Sequence, residues 1–210
     1  MKKDDLVNKR MRIAEGRISE LISSGDIKKL DKGLTISVSK FYETKSLSRL
    51  ETARLIYSAS KNASQSSMNR ISSDYSDYSE SVAAAYYSMY YIVHAYLAKI
   101  YSIKLSDEIR GVHALTQHLI LVYLVKTGKL AKHLYEEYLN TFETTAEVQN
   151  LDITDFQKEA YHYAEKYDEA RDAREIFTYK VALSAEARHA ESAIKTAEEF
   201  ISVIRQLMIK

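Results

Sequence analysis

The chain has 210 residues, with no cysteine, no proline and five glycines, and 30 lysines and arginines against 29 aspartates and glutamates. This composition excludes disulfides, thiolate nucleophiles and cysteine metal sites, and it fits a reducing, cytoplasmic setting. Charge this close to neutral creates no global field for nucleic acid or anionic lipid, so any such contact must be local.

Sparse turn residues and long periodic stretches of Ala, Leu, Tyr, Lys and Glu predict an all-α protein large enough for one core. The opening MKKDDLVNKR mixes charge signs and leads into no apolar run, so neither a signal peptide nor a membrane anchor is expected. Residues 4–24 read as an amphipathic helix through Leu6, Met11, Ile13, Ile18, Leu21 and Ile22, with Gly25 where a C-terminal cap belongs. Over 26–45 the alternation of Leu34, Ile36 and Val38 suits a strand, but no second strand is evident, and a connector with a helical turn is expected. Helical spacing resumes through Leu47, Leu50, Ala53, Leu55, Ile56 and Ala59, and Ser48 with Glu51 has the form of a capping box. The expected organisation is an N-terminal helical extension and connector over 1–45 and an up-and-down helical bundle over 46–210.

A serine-rich stretch with a bend near 72–77 precedes the most apolar helix, 81–103. Val82, Ala85, Tyr86, Met89, Val93, Tyr96, Leu97 and Ile100 share one face, so this helix should be central. Ser88, His94 and Lys99 interrupt it, which favours a buried bundle helix over a membrane span. Its other face carries Tyr87, Tyr91 and His94, a candidate contact with a second subunit. Ser106, Asp107 and Glu108 are expected to open a helix running through Leu115, Leu119, Val122 and Val125 to a break at Gly128. A helix over 129–142, a loop over 143–152, a helix from Thr154 and a last helix capped by Ser184 complete the chain. In that last helix Ala187, Ala190, Ile194, Ala197, Ile201, Ile204 and Met208 point inward. The 17 tyrosines, against five Phe and no Trp, read chiefly as packing groups with a hydroxyl to satisfy, and secondarily as surfaces for base stacking.

Within the helix from Thr154, Phe156, Ala160, Tyr163, Tyr167, Ala170, Arg174, Phe177 and Val181 share one face, with Arg171 close by in sequence. A guanidinium cannot be discharged. Arg174 therefore either snorkels or pairs with a carboxylate such as Glu175 or Asp172, or it turns into a cleft as a phosphate or nucleotide site. Glu159 with His162 and Glu186 with His189 match half of a bundle di-metal motif. The other helices supply no inward glutamates to complete it, so no metal and no cofactor is expected. His113 and His118 are five residues apart and do not share a face as paired ligands do.

In order, AAAYYSMYYIVHAYLAKIY, GVHALTQHLILVYLVKTGKLAKHLYEEYL, EARDAREIFTYKV and AESAIKTAEEFISVI resemble successive helices of the HEPN family, small all-α domains associated with nucleotides and RNA. The resemblance is to the branch with a tyrosine pair, here Tyr86 and Tyr87, a VKTGKL-like break at 125–130, and an Arg-x-x-Ala-Asp-Tyr-like element, here Arg174 with Tyr179. It extends back through LETARLIYSASKN and ISSGDIKKL. Ala83 and Ala84 stand where this branch often has Ser and Arg.

Ribonuclease members pair an arginine with a histidine shortly after it, and here Tyr179 holds the histidine position. A phenol with a pKa near 10 is a poor base at neutral pH. The resemblance therefore implies a catalytically degenerate nucleotide- or RNA-associated module in which Arg171, Arg174 and Tyr179 meet phosphate. It also implies a homodimer and a nucleotidyltransferase partner in a toxin–antitoxin-like pair. Two alternatives stand beside it: an endoribonuclease with an unorthodox base such as His94, His113 or His162, and an assembly protein joined through tyrosine-rich faces.

Overall fold

The computed structural model describes residues 3–62, 75–149 and 185–209. Helix α1 (Lys3–Ser23) ends at Gly25, whose φ of 79° is open to glycine and costly for side chains with a Cβ. Strand β1 (Ile27–Lys29) follows, and α2 (Lys32–Lys61) starts where the Asp31 carboxylate accepts the Leu34 N–H at 2.8 Å. Helix α3 (Tyr78–Tyr96) is capped by Asp77 and continues through a π-helical turn (Leu97–Tyr101) to Ser102, which holds a left-handed φ of 54°. Strand β2 (Ile103–Leu105) pairs antiparallel with β1, with Ile27 opposite Leu105 and Lys29 opposite Ile103. Helix α4 (Val112–Ile120) also runs into a π-helical turn (Leu121–Val125), and α5 (Lys132–Gln149) and α6 (Ala187–Ile209) follow.

The protein is an all-α helical bundle, with one short ribbon among the described residues. Helix α3 is central, packing on α2, α5 and α6, while α1 lies against α4 and its π turn. Helices α2 and α3 are antiparallel, since Ser39 meets Ala95, Ser46 meets Ser88 and Ala53 meets Ser81 through buried side-chain hydrogen bonds. The core is formed by α3, buried along the expected stripe from Val82 to Leu97 and also off it at Ala83, Ala84, Ile92 and Ala95, together with Tyr138, Phe142, Phe200 and Ile204. No helix among the described residues is long and apolar enough to cross a membrane.

Several expectations are corrected. Residues 26–45 are not a connector: they hold β1 and the first half of α2, which runs unbroken past residues 45 and 46. Asp31 supplies the cap, so Ser48 and Glu51 lie inside the helix, and the alternating Leu34 and Ile36 are exposed helix positions. Each strand of the ribbon is only three residues long, too short for an alternation of apolar and polar residues to mark it in the sequence. Ser106 does not open a helix. Its N–H extends the ribbon to the Asp26 carbonyl at 2.7 Å, and α4 waits for Gly111.

Residues 143–149 are helical rather than loop. Thr141, Thr144 and Thr145 each return their hydroxyl to a carbonyl four residues back, and Ala146 is buried. Ile22, expected inward, is exposed, as is Ile100 at the end of the α3 stripe. The helix expected from Thr154, with its apolar face, and the cap at Ser184 lie outside the described residues, as does most of the serine-rich stretch.

Candidate nucleic-acid interface

Arg171, Arg174 and Tyr179 lie outside the described residues, as do Glu159 and His162. Of the other singled-out residues, Tyr86 is fully buried and His94 is 4% exposed within the single chain, while Tyr87 and Tyr91 are half-buried. Helix α3 places Tyr86, Tyr87, Tyr90, Tyr91 and His94 over two successive turns, and α2 and α4 close on them with Tyr42 and His113.

The Thr116 hydrogen bonds assign the His94 tautomer. The Thr116 hydroxyl gives its one proton to the Val112 carbonyl at 2.7 Å, so at its 3.0 Å contact with His94 it must accept from Nε2–H. Burial, with His113 adding to it, pushes the His94 pKa down to about 3 and holds the ring neutral. That environment gives substrate no access, and it does not suit His94 to the role of an exposed base. Tyr138 donates to Tyr86 at 3.4 Å, and the Tyr86 hydroxyl shares a hydrogen bond with His113 Nδ1 at 3.0 Å. Burial lowers the His113 pKa and raises those of the Tyr86, Tyr87, Tyr90 and Tyr42 phenols, so the cluster carries no charge of its own at neutral pH.

The break at 125–130 has a structural job. Gly128 takes a φ of 67°, and the chain turns Lys129 back so that its ammonium sits 3.0 Å from both the Tyr96 and Tyr101 hydroxyls, over both rings. Those phenolic oxygens raise the Lys129 pKa.

One surface combines cations with aromatic rings. The Tyr42 and Tyr91 rings stack with centroids 6.1 Å apart, and Tyr91 meets Tyr87 at 6.3 Å, making a row across α2 and α3. The Arg49 guanidinium lies 5.9 Å from the Tyr87 ring centre and the Lys45 ammonium 5.7 Å from that of Phe41, a ring that is 55% exposed. Beside this row a shallow depression of about 540 Å³ is lined by Ser37, Lys40, Phe41, Thr44, Lys45 and Ser48. Among the described residues Lys40, Lys45 and Arg49 have no carboxylate partner, whereas Arg54, Lys104 and Arg205 are each ion-paired. Unpaired cations beside ring faces attract a flat, anionic ligand.

Tyr87 and Tyr91 are expected from the sequence as a contact with a second subunit, whereas Phe41, Tyr42, Lys45 and Arg49 are not singled out, because their segment reads as a connector or as ordinary helix. The signal was present in Asp31 as a cap and in the four-residue steps Phe41, Lys45, Arg49, which align on one helical face.

At the start of α6 His189 Nδ1 accepts the Glu186 backbone N–H at 3.1 Å, and the Glu186 carboxylate pairs with Arg188 at 2.8 Å. Among the described residues no three His, Asp or Glu side chains converge as metal ligands. No family model, no curated protein and no solved structure matches the chain.

Proposed function

We propose that the chain is a HEPN-like module that associates with nucleotides or RNA by binding rather than by cleavage. The observation that carries this reading is the α2–α3 face, where Lys40, Lys45 and Arg49 stand without carboxylate partners among the described residues, beside aromatic rings in an otherwise near-neutral chain. The family resemblance adds Arg171 and Arg174 as phosphate contacts and Tyr179 as a hydroxyl donor in place of a catalytic histidine. By the same resemblance the working form is a homodimer, and a minimal nucleotidyltransferase is its protein partner.

Thermal unfolding against nucleotides and short RNAs tests the reading. A ligand that binds only the folded state adds about 2.7 kcal/mol at a hundredfold excess over its dissociation constant, so the midpoint rises with concentration. The expected result is a rise with RNA that is smaller in an Arg171→Ala, Arg174→Ala double variant. A midpoint that no nucleotide or RNA moves overturns the reading.

A further inference from the structure

We infer that the α2–α3 face is a stacking platform for a short unpaired stretch of RNA, with bases against Tyr87, Tyr91 and Phe41 and phosphates at Lys45, Arg49 and Lys40. This rests on the RNA-associated reading but assigns the contact to residues that the family motif does not include.

The geometry favours an unpaired strand over a duplex. A row of rings reaches bases only when they are splayed out, because a duplex hides its base faces in the helical stack. Tyr42, Tyr91 and Tyr87 meet centre to centre at 6.1 and 6.3 Å with ring planes 22° and 31° apart, so three half-buried rings form one contiguous aromatic row beside the exposed Phe41. Lys45 and Arg49 are one helical step of four residues apart, about 6 Å along the axis, a spacing that neighbouring phosphates of an extended strand can follow. Arg49 already lies over the Tyr87 ring, and its guanidinium plane is itself a surface on which a base stacks.

Charge decides against a second copy on this face. In a two-fold pairing the same patch meets itself, which brings Lys40, Lys45 and Arg49 of both copies together, and no unpaired carboxylate on α2 offsets them: Glu43 is engaged by Arg205 and Glu51 by Arg54. An anionic strand complements the patch. Self-association does not.

The test is fluorescence anisotropy with a labelled eight-nucleotide oligoadenylate. Competitors are its duplex with oligouridylate, adenosine monophosphate, and inorganic polyphosphate of similar charge. Variants are Tyr91→Ala, Tyr91→Phe, Arg49→Ala and the Arg171→Ala, Arg174→Ala pair, each checked for unchanged thermal unfolding without ligand.

The expected result is that the single strand binds more tightly than duplex or polyphosphate. Tyr91→Ala then weakens it roughly tenfold while Tyr91→Phe, which keeps the ring, does not. Arg49→Ala reduces the steepness of the salt dependence by about 0.7 in log K per log salt. If RNA binds and only the Arg171, Arg174 pair affects it, the platform is overturned and the RNA-associated reading survives. Equal competition by polyphosphate overturns stacking. If Tyr91→Ala instead abolishes self-association and no RNA binds, a second copy occupies the face. Absence of binding to any nucleotide or RNA overturns both proposals.

Discussion

Burial, with His113 adding to it, holds the His94 imidazole neutral and moves its pKa from 6.5 to about 3. The unfolded chain takes up a proton near pH 6.5 that the folded chain refuses until about pH 3, so stability is full above pH 6.5 and falls as pH drops through that window. The slope approaches about 1.4 kcal/mol per pH unit. In a His94→Gln variant, whose amide can still donate to Thr116, urea midpoints measured from pH 7 to pH 5 should fall less steeply than in the wild type. An equal slope would mean that the ring is not held neutral. Tyr86→Phe removes the middle of the chain from Tyr138 to His113 and leaves both neighbours without their partner, which should cost about 1–3 kcal/mol in urea unfolding. The α3 stripe was legible in the sequence because seven-residue spacing of apolar groups survives in any environment. The position of His94 was not, because a single helix does not record that α4 lays Thr116 over it.

Helices α2 and α3 meet along a seam that repeats every seven residues, with Ser39, Ser46, Ala53 and Ser60 on one helix and Ser81, Ser88 and Ala95 on the other. Small side chains let the backbones approach, and the hydroxyls cross between helices: Ser39 to the Ala95 carbonyl at 3.0 Å, Ser46 to Ser88 at 2.7 Å and Ser81 to Ala53 at 2.9 Å. Ser46→Ala should cost about 1 kcal/mol by losing one such bond. Ser46→Leu, which inserts a large group at a fully buried position, should cost at least about 1–3 kcal/mol more. Urea denaturation of the two variants checks the order, and a tolerated leucine would show that the seam is loosely packed. The serine repeat stands in the sequence, yet searching for apolar periodicity passes over it because serine reads as polar surface. The start of α2 is hidden in a similar way: the alternation of Leu34 and Ile36 suits a strand and leaves 26–45 as an expected connector, whereas Asp31 carries the cap that starts the helix.

For the whole molecule, the all-α bundle was legible from composition, and the placement of charge was not. Ion pairs between distant segments, Arg54 with Glu198 and Arg205 with Glu43, engage acids on α2 and α6 and leave Lys40, Lys45 and Arg49 as a local basic patch that totals conceal. If three phosphates meet those cations, raising salt from 50 to 200 mM should weaken binding of a single strand by at least roughly 15-fold, measured by anisotropy titration. A salt-independent affinity would remove the phosphates from the account. The most direct test is photo-crosslinking of a 4-thiouridine-containing oligonucleotide to the full chain, with the linked peptides mapped by mass spectrometry. The account predicts links, lost on adding unlabelled RNA, in peptides that carry Phe41 to Arg49 and Tyr87 to Tyr91. A chain that forms no competed link anywhere contradicts it.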